Sequence, residues 1–131
     1  MALAVGMRGE ARLVVGEGET AAAFGAGGVR VLGTPVMIGL MENAAWRLVQ
    51  PELAEGETTV GVRVDVKHLA ATPVGDTVTV TAELVEIDGR RLVFHVEARD
   101  SRQLIGEGTH ERARVVLERF MARLNAPAEP Q

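Results

Sequence analysis

A chain of 131 residues, 47% of them hydrophobic, is long enough to bury one core and too short for two ordinary domains, so a single domain over residues 1–131 is expected. A net charge of -4 with basic residues scattered along strand-like segments argues against a nucleic-acid footprint, and the absence of cysteine excludes disulfides, thiolate metal sites and a cysteine nucleophile. No apolar run approaches the roughly 20 residues of a membrane helix, and MALAVGMRGE has neither the basic start nor the apolar stretch of a secretory leader, so the expectation is a cytoplasmic protein with no membrane partner.

Glu10 to Val15 reads as a first strand and runs into GEGETAAAFGAGG, which is rich in glycine and alanine and has no periodicity. Residues 16–33 are therefore expected to form a flexible loop or lid. The loose GxGG pattern there has no strand-turn-helix context and no P-loop lysine, so phosphate cradling is not inferred. Thr34 as N-cap before Pro35 at the first helical position marks a helix entry. From Pro35 to Gln50, PVMIGLMENAAWRLVQ is apolar nearly all round, the pattern of a helix surrounded by protein. Pro51 and the GluGlyGlu turn at 55–57 end it.

The remainder reads as sheet. Val60, Val62, Val64 and Val66 alternate with Thr59, Gly61, Arg63, Asp65 and Lys67, which predicts a strand with the valines on its buried face. A second strand sets Val78, Val80, Ala82 and Leu84 inward. Asp88-Gly89 is a hairpin turn into RRLVFHVEA, whose inner face is Leu92, Phe94, Val96 and Ala98. LIGEGTHERARVVL alternates more weakly, and its two glycines suit a bulge or a close approach by a ligand or a neighbouring chain. ERFMARL reads as a short closing helix and residues 125–131 as a frayed tail. One long helix with mostly antiparallel strands makes an α+β pair of layers in which the sheet wraps the helix. Long alternating edge strands in so small a domain are commonly covered by a second copy, so a homodimer is expected.

Glu42 is the first chemical suspect. At about 100° per residue, Asn43, Arg47 and Gln50 form a narrow polar stripe, and Glu42 points roughly 100° away from it, among Ile38, Ala45, Trp46 and Val49. A carboxylate off the wet face is costly unless used or neutralised; bending back to water or pairing with Arg47 is the plain alternative. His68 continues the valine series and projects from the predicted buried face at the strand end, as a site residue or as a core histidine held by backbone. His95 falls on the polar face of its strand, and His110 either lines a ligand or is solvated. With no metal-ligand spacing among the histidines, no metal site is expected.

Thr34, then Glu42 eight residues on, then His68 within VKHLAATP, the hairpin EIDGRR and the closing GEGTHERARVVLERF together resemble the hotdog-fold acyl-CoA thioesterases, most closely the fluoroacetyl-CoA thioesterase type. The similarity runs from about Gly33 to Arg123. It implies a hotdog fold, an acyl-CoA substrate and no cofactor. It also implies that Thr34, Glu42 and His68 form the catalytic set and that Gly61 and Arg112 lie against the substrate. Fluoroacetate-specific members carry aromatic lid residues before the threonine. Here Phe24 is the sole counterpart, so the expectation is broad short-to-medium acyl specificity without preference for the fluorinated group.

This fits the residues. Thioester hydrolysis needs a nucleophile or activated water and donors for a developing oxyanion. Glu42 suits the first task in either form, with burial pushing its pKa up and His68 or Thr34 pulling it down; His68 suits proton transfer. The helix start at Thr34 suits the oxyanion, although a threonine hydroxyl there can also serve only as a cap. Arg112, Arg114 and Lys67 are candidates for coenzyme A phosphates or simply solvated charges. Two alternatives stay open, a hotdog hydratase acting on enoyl thioesters and a non-catalytic acyl-CoA sensor.

Overall fold

The computed structural model describes residues 2–128. Strands β1 (Arg8–Val14), β2 (Glu57–His68), β3 (Thr77–Asp88), β4 (Arg91–Arg99) and β5 (Leu104–Val116) form one antiparallel sheet in the order β1-β3-β4-β5-β2. Between β1 and β2 the chain makes the short helix α1 (Ala21–Phe24) and the long helix α2 (Thr34–Val49); α3 (Leu117–Leu124) follows β5. This is the expected α+β arrangement of a sheet curled about a long helix. Asn125 caps α3, and of the predicted tail residues 129–131 lie outside the described residues.

The core lies between α2 and the inner face of the sheet. Met37, Met41, Ala44, Ala45 and Val49 of α2 meet Val78, Val80, Ala82 and Leu84 of β3 and Leu92, Phe94, Val96 and Ala98 of β4, so the alternation predicted for both strands holds. The helix is not surrounded within one chain, contrary to the reading from its composition. Trp46 is 40% exposed and Arg47 is exposed, because the sheet covers only one side of α2.

β2 departs from the predicted alternation for a specific reason. Gly61 pairs with Arg112 and Arg63 with Glu111, so Val62 is an extra residue in a bulge and is 64% exposed. Before the bulge Thr59 and Gly61 face the helix side, and Val60 does not. After it Val64, Val66 and His68 do, as predicted. One inserted residue reverses the parity of the strand.

The glycines of β5 serve close packing inside the chain, not the approach of a ligand or neighbour. A Cβ on Gly106 would stand 2.6 Å from the Met37 sulfur, and one on Gly108 would collide with the Asp65 carbonyl and come within 2.6 Å of the Val66 Cα. Backbone cannot yield there as a side chain can. Gly108→Ala is therefore expected to lower unfolding stability by about 1 to 3 kcal/mol, whereas Gly18→Ala, which meets nothing within 4 Å, should stay within about 0.5 kcal/mol of wild type. Urea titrations of both check this; equal midpoints for the two would show that β2 and β5 do not pack as tightly as described.

Candidate active site

Gly33, not Thr34, is the N-cap of α2, and it receives the backbone N–H of Val36 and Met37 on its carbonyl at 3.0 and 3.1 Å. The capping role read for Thr34 is thus corrected: as the first residue inside the helix its hydroxyl is free to turn sideways, and it lies 2.7 Å from His68 Nδ1. His68 is the last residue of β2, and its Nε2 is buried without a hydrogen-bond partner. Burial holds the ring below the ordinary histidine pKa, with the Ala70 backbone pulling the other way, so His68 is neutral at pH 7 and able to accept a proton.

The Thr34–His68 pair borders a cavity of about 430 Å³, whose other walls include Ala21, Gly27, Val29 and Ala71. The stretch read as a lid supplies much of this wall, and it has internal structure. Thr20, itself buried, accepts from the Ala23 N–H at 3.1 Å and caps α1, and Gly25 closes that helix at a φ of +87°. Bridges from Thr20 to Leu32 and from Val31 to Pro73 tie it to the body. Phe24 is 58% exposed and does not line the cavity. A slightly larger cavity, about 490 Å³ beside Leu3, Leu53 and Arg114, contains none of the candidate catalytic side chains, so chemistry and not size selects the first.

Glu42 belongs to a second cluster. Its side chain is 41% exposed, so the buried carboxylate inferred from the helical projection is corrected: its neighbours Ala45 and Val49 are buried, but its own sector of α2 meets the end of the sheet where little covers it. Arg47 is not its partner. Glu42 Oε2 lies 3.6 Å from Arg112 Nη1, and a Cβ on Gly61 would come within 2.7 Å of the same oxygen, so the missing side chain of Gly61 makes room for the carboxylate. Arg112 is buried and donates from Nε to Thr59 Oγ1 at 2.7 Å and from Nη2 to the Thr59 carbonyl at 3.0 Å. Burial works against its charge and Glu42 supports it.

His110 is buried as well, not solvated, with Nδ1 2.8 Å from the Arg63 carbonyl and Nε2 3.2 Å from Arg112 Nη1. Desolvation sets its pKa below the usual range, the Arg63 carbonyl opposing. Its place was readable in the sequence, since His110 shares the parity of Arg112; Thr59 was not, because the bulge hides its face. Arg114 is taken up by Glu57 at 3.2 Å and Lys67 is exposed. On the outer face of the sheet His95, Glu97 and Glu107 bring their ligand atoms within 4.8 Å of one another, a grouping that sequence spacing alone did not suggest because Glu107 comes from the next strand.

The predicted catalytic set is therefore brought together only in part. Thr34 and His68 meet, while Glu42, Gly61 and Arg112 meet elsewhere. Eight residues of helix separate Thr34 from Glu42 by about 12 Å of rise.

The sheet order and the long helix against its inner face define a hotdog fold. The sequence model of the family "Fluoroacetyl-CoA-specific thioesterase" matches residues 15–118, and the chain belongs to that family. It is similar to the fluoroacetyl-CoA thioesterase of Streptantibioticus cattleyicolor, with 51% identity over 94 residues, 72% of this chain and 68% of that one. The solved structure of the fluoroacetyl-CoA thioesterase FlK is 41% identical, with a TM-score of 0.91 over 98% of this chain and 100% of that chain. A thioesterase superfamily member from Thermus thermophilus is 30% identical, with a TM-score of 0.87 over 93% and 90% of the two chains. The chain is thus a thioester hydrolase, which sets aside the hydratase and the sensor.

The two depressed histidines carry a pH signature. As pH falls below about 6.5, the unfolded chain takes up protons at these positions before the folded chain does, so stability declines until the lower folded pKa values are passed. Above that window they contribute nothing. NMR titration of the ring Cε1 protons is expected to give midpoints below 6.5 for His68 and His110; a midpoint above it at either would contradict the burial described.

Proposed function

We propose that the chain hydrolyses short- to medium-chain acyl-CoA thioesters, with Glu42 as nucleophile or general base, His68 as the proton-transfer partner and Thr34 as a donor to the substrate oxygen. The observation that carries this reading is the 2.7 Å contact between Thr34 Oγ1 and His68 Nδ1 at the edge of a cavity. Either course of Glu42 has the same balance: the acyl C–S bond breaks, the sulfur leaves as the coenzyme A thiol, and water supplies the new oxygen of the acid. The Thr34 hydroxyl and the helix start stabilise the oxygen that becomes negative.

The distance between Glu42 and the Thr34–His68 pair is bridged by a homodimer. β2 is paired with β5 on one side only, and its open edge, with exposed Val62 and Val64, is one that a second copy would cover. Pairing two β2 edges about a two-fold axis runs the two α2 helices antiparallel, so Glu42 of the partner subunit comes toward the cavity bounded by Thr34 and His68. The open side of α2 around Trp46 is covered in the same step. The segment 16–33 then acts as a lid over the acyl group, and its small side chains support broad acyl acceptance in place of the fluoroacetyl selectivity in the name of the relatives.

Release of thiol from a panel of acyl-CoAs tests the activity. Glu42→Gln and His68→Asn are each expected to lower kcat at least about a hundredfold, and wild-type turnover by Glu42→Gln would end the proposal. Mixing the two variants should restore activity, because one of the two sites in each hybrid dimer then holds both native side chains; no recovery on mixing would place the whole set in one chain. A kcat/KM preference above about a thousandfold for fluoroacetyl over acetyl, beyond what a small change in a pocket normally supplies, would overturn broad specificity.

A further inference from the structure

We propose that His110 is a positioning residue: in its neutral Nδ1–H tautomer it holds the Arg112 guanidinium against Glu42, and protonation of the ring releases that hold. The inference rests on the reading of Glu42 as the carboxylate of the reaction. A backbone carbonyl only accepts hydrogen bonds, so the 2.8 Å contact with the Arg63 carbonyl assigns the proton to Nδ1. Nε2 then presents a lone pair, which accepts from Arg112 Nη1 at 3.2 Å. The ring has little freedom to do otherwise, being 1% exposed and stacked on Phe94 with centroids 6.1 Å apart.

The other two nitrogens of Arg112 are anchored on Thr59, Nε through its N–H and Nη2 through one of its two. Its Nη1 alone reaches both His110 and Glu42, so what binds Nη1 from below sets how it meets the carboxylate above. A proton on Nε2 would place a donor against a donor and a positive ring against a guanidinium. The groups facing His110 are Arg112 on its own strand, Glu42 from α2, the Arg63 carbonyl from β2 and the uncharged Phe94 ring from β4, with Glu111 beside it in sequence. Arg112 and burial favour the neutral ring; Glu42 and Glu111 favour the charged one.

The test follows hydrogen exchange of the Arg112 Nη1–H, the group that meets His110, by nitrogen-15 NMR as pH is lowered, corrected for the intrinsic pH dependence of exchange, alongside the titration of His110. In wild type, protection is expected to persist while His110 is neutral and to disappear with the same midpoint as the ring. His110→Gln keeps an acceptor toward Arg112 but cannot take the proton, so protection should survive to lower pH. His110→Asn, which is too short to reach, should lower kcat by about ten- to a hundredfold with KM little changed, and His110→Gln should recover most of that loss. Arg112 protection that ignores the titration of His110, or is lost with an unchanged midpoint in His110→Gln, would overturn the proposal, and the wild-type experiment decides even if a variant fails to fold. If Glu42→Gln turns over like wild type, the functional reading falls while the exchange measurement still decides what His110 does to Arg112.

Discussion

The bulge at Val62 is the constraint on which the site depends. Gly61 and His68 are seven residues apart, and in an unbroken strand an odd separation puts two residues on opposite faces. With Val62 inserted between the pairs Gly61–Arg112 and Arg63–Glu111, both face the helix. Gly61 then clears space for Glu42 and His68 reaches Thr34. Without the extra residue one of the two clusters would be turned outward, away from α2.

A buried arginine organises the Glu42 side of the site. Removing a guanidinium from water is costly unless it finds partners, and in this chain Thr59 and His110 accept three hydrogen bonds from Arg112 while Glu42 offsets its charge. The carboxylate is the least buried member of the group, so the cluster is rigid at its base and open at its tip. A carboxylate held by a fixed base and exposed at one end is positioned without being enclosed.

The other cluster is built differently. Thr34 and His68 are held by the ends of two regular elements, the first turn of α2 and the last residue of β2, and the surrounding wall comes from a segment made of short turns tied down at Thr20, Leu32 and Pro73. Its side chains are small, and its aromatic residue, Phe24, is turned outward. The chain keeps the scaffold of its family, and the cavity beside Thr34 and His68 is walled largely by small side chains of this segment.

By itself the sequence was enough for the order of the strands and the long helix, the inner faces of β3 and β4, the hairpin at Asp88-Gly89 and the family, because period-two alternation, turn chemistry and motif spacing are local properties. It misread what depends on partners distant in the chain. The valine alternation of β2 pointed to the wrong face before Val62, since a bulge is defined by the opposing strand and leaves no mark in the strand's own pattern. The helical projection of α2 gave direction but not cover, so Glu42 looked buried where it meets the edge strand and stays 41% exposed. The hydroxyl of Thr34, the ring of His110 and the glycines of β5 each had a plausible local use, and tertiary contacts with His68, with Arg112 and with Asp65 and Met37 decided among them. Spacing along a chain constrains direction within one element; only packing determines what stands opposite.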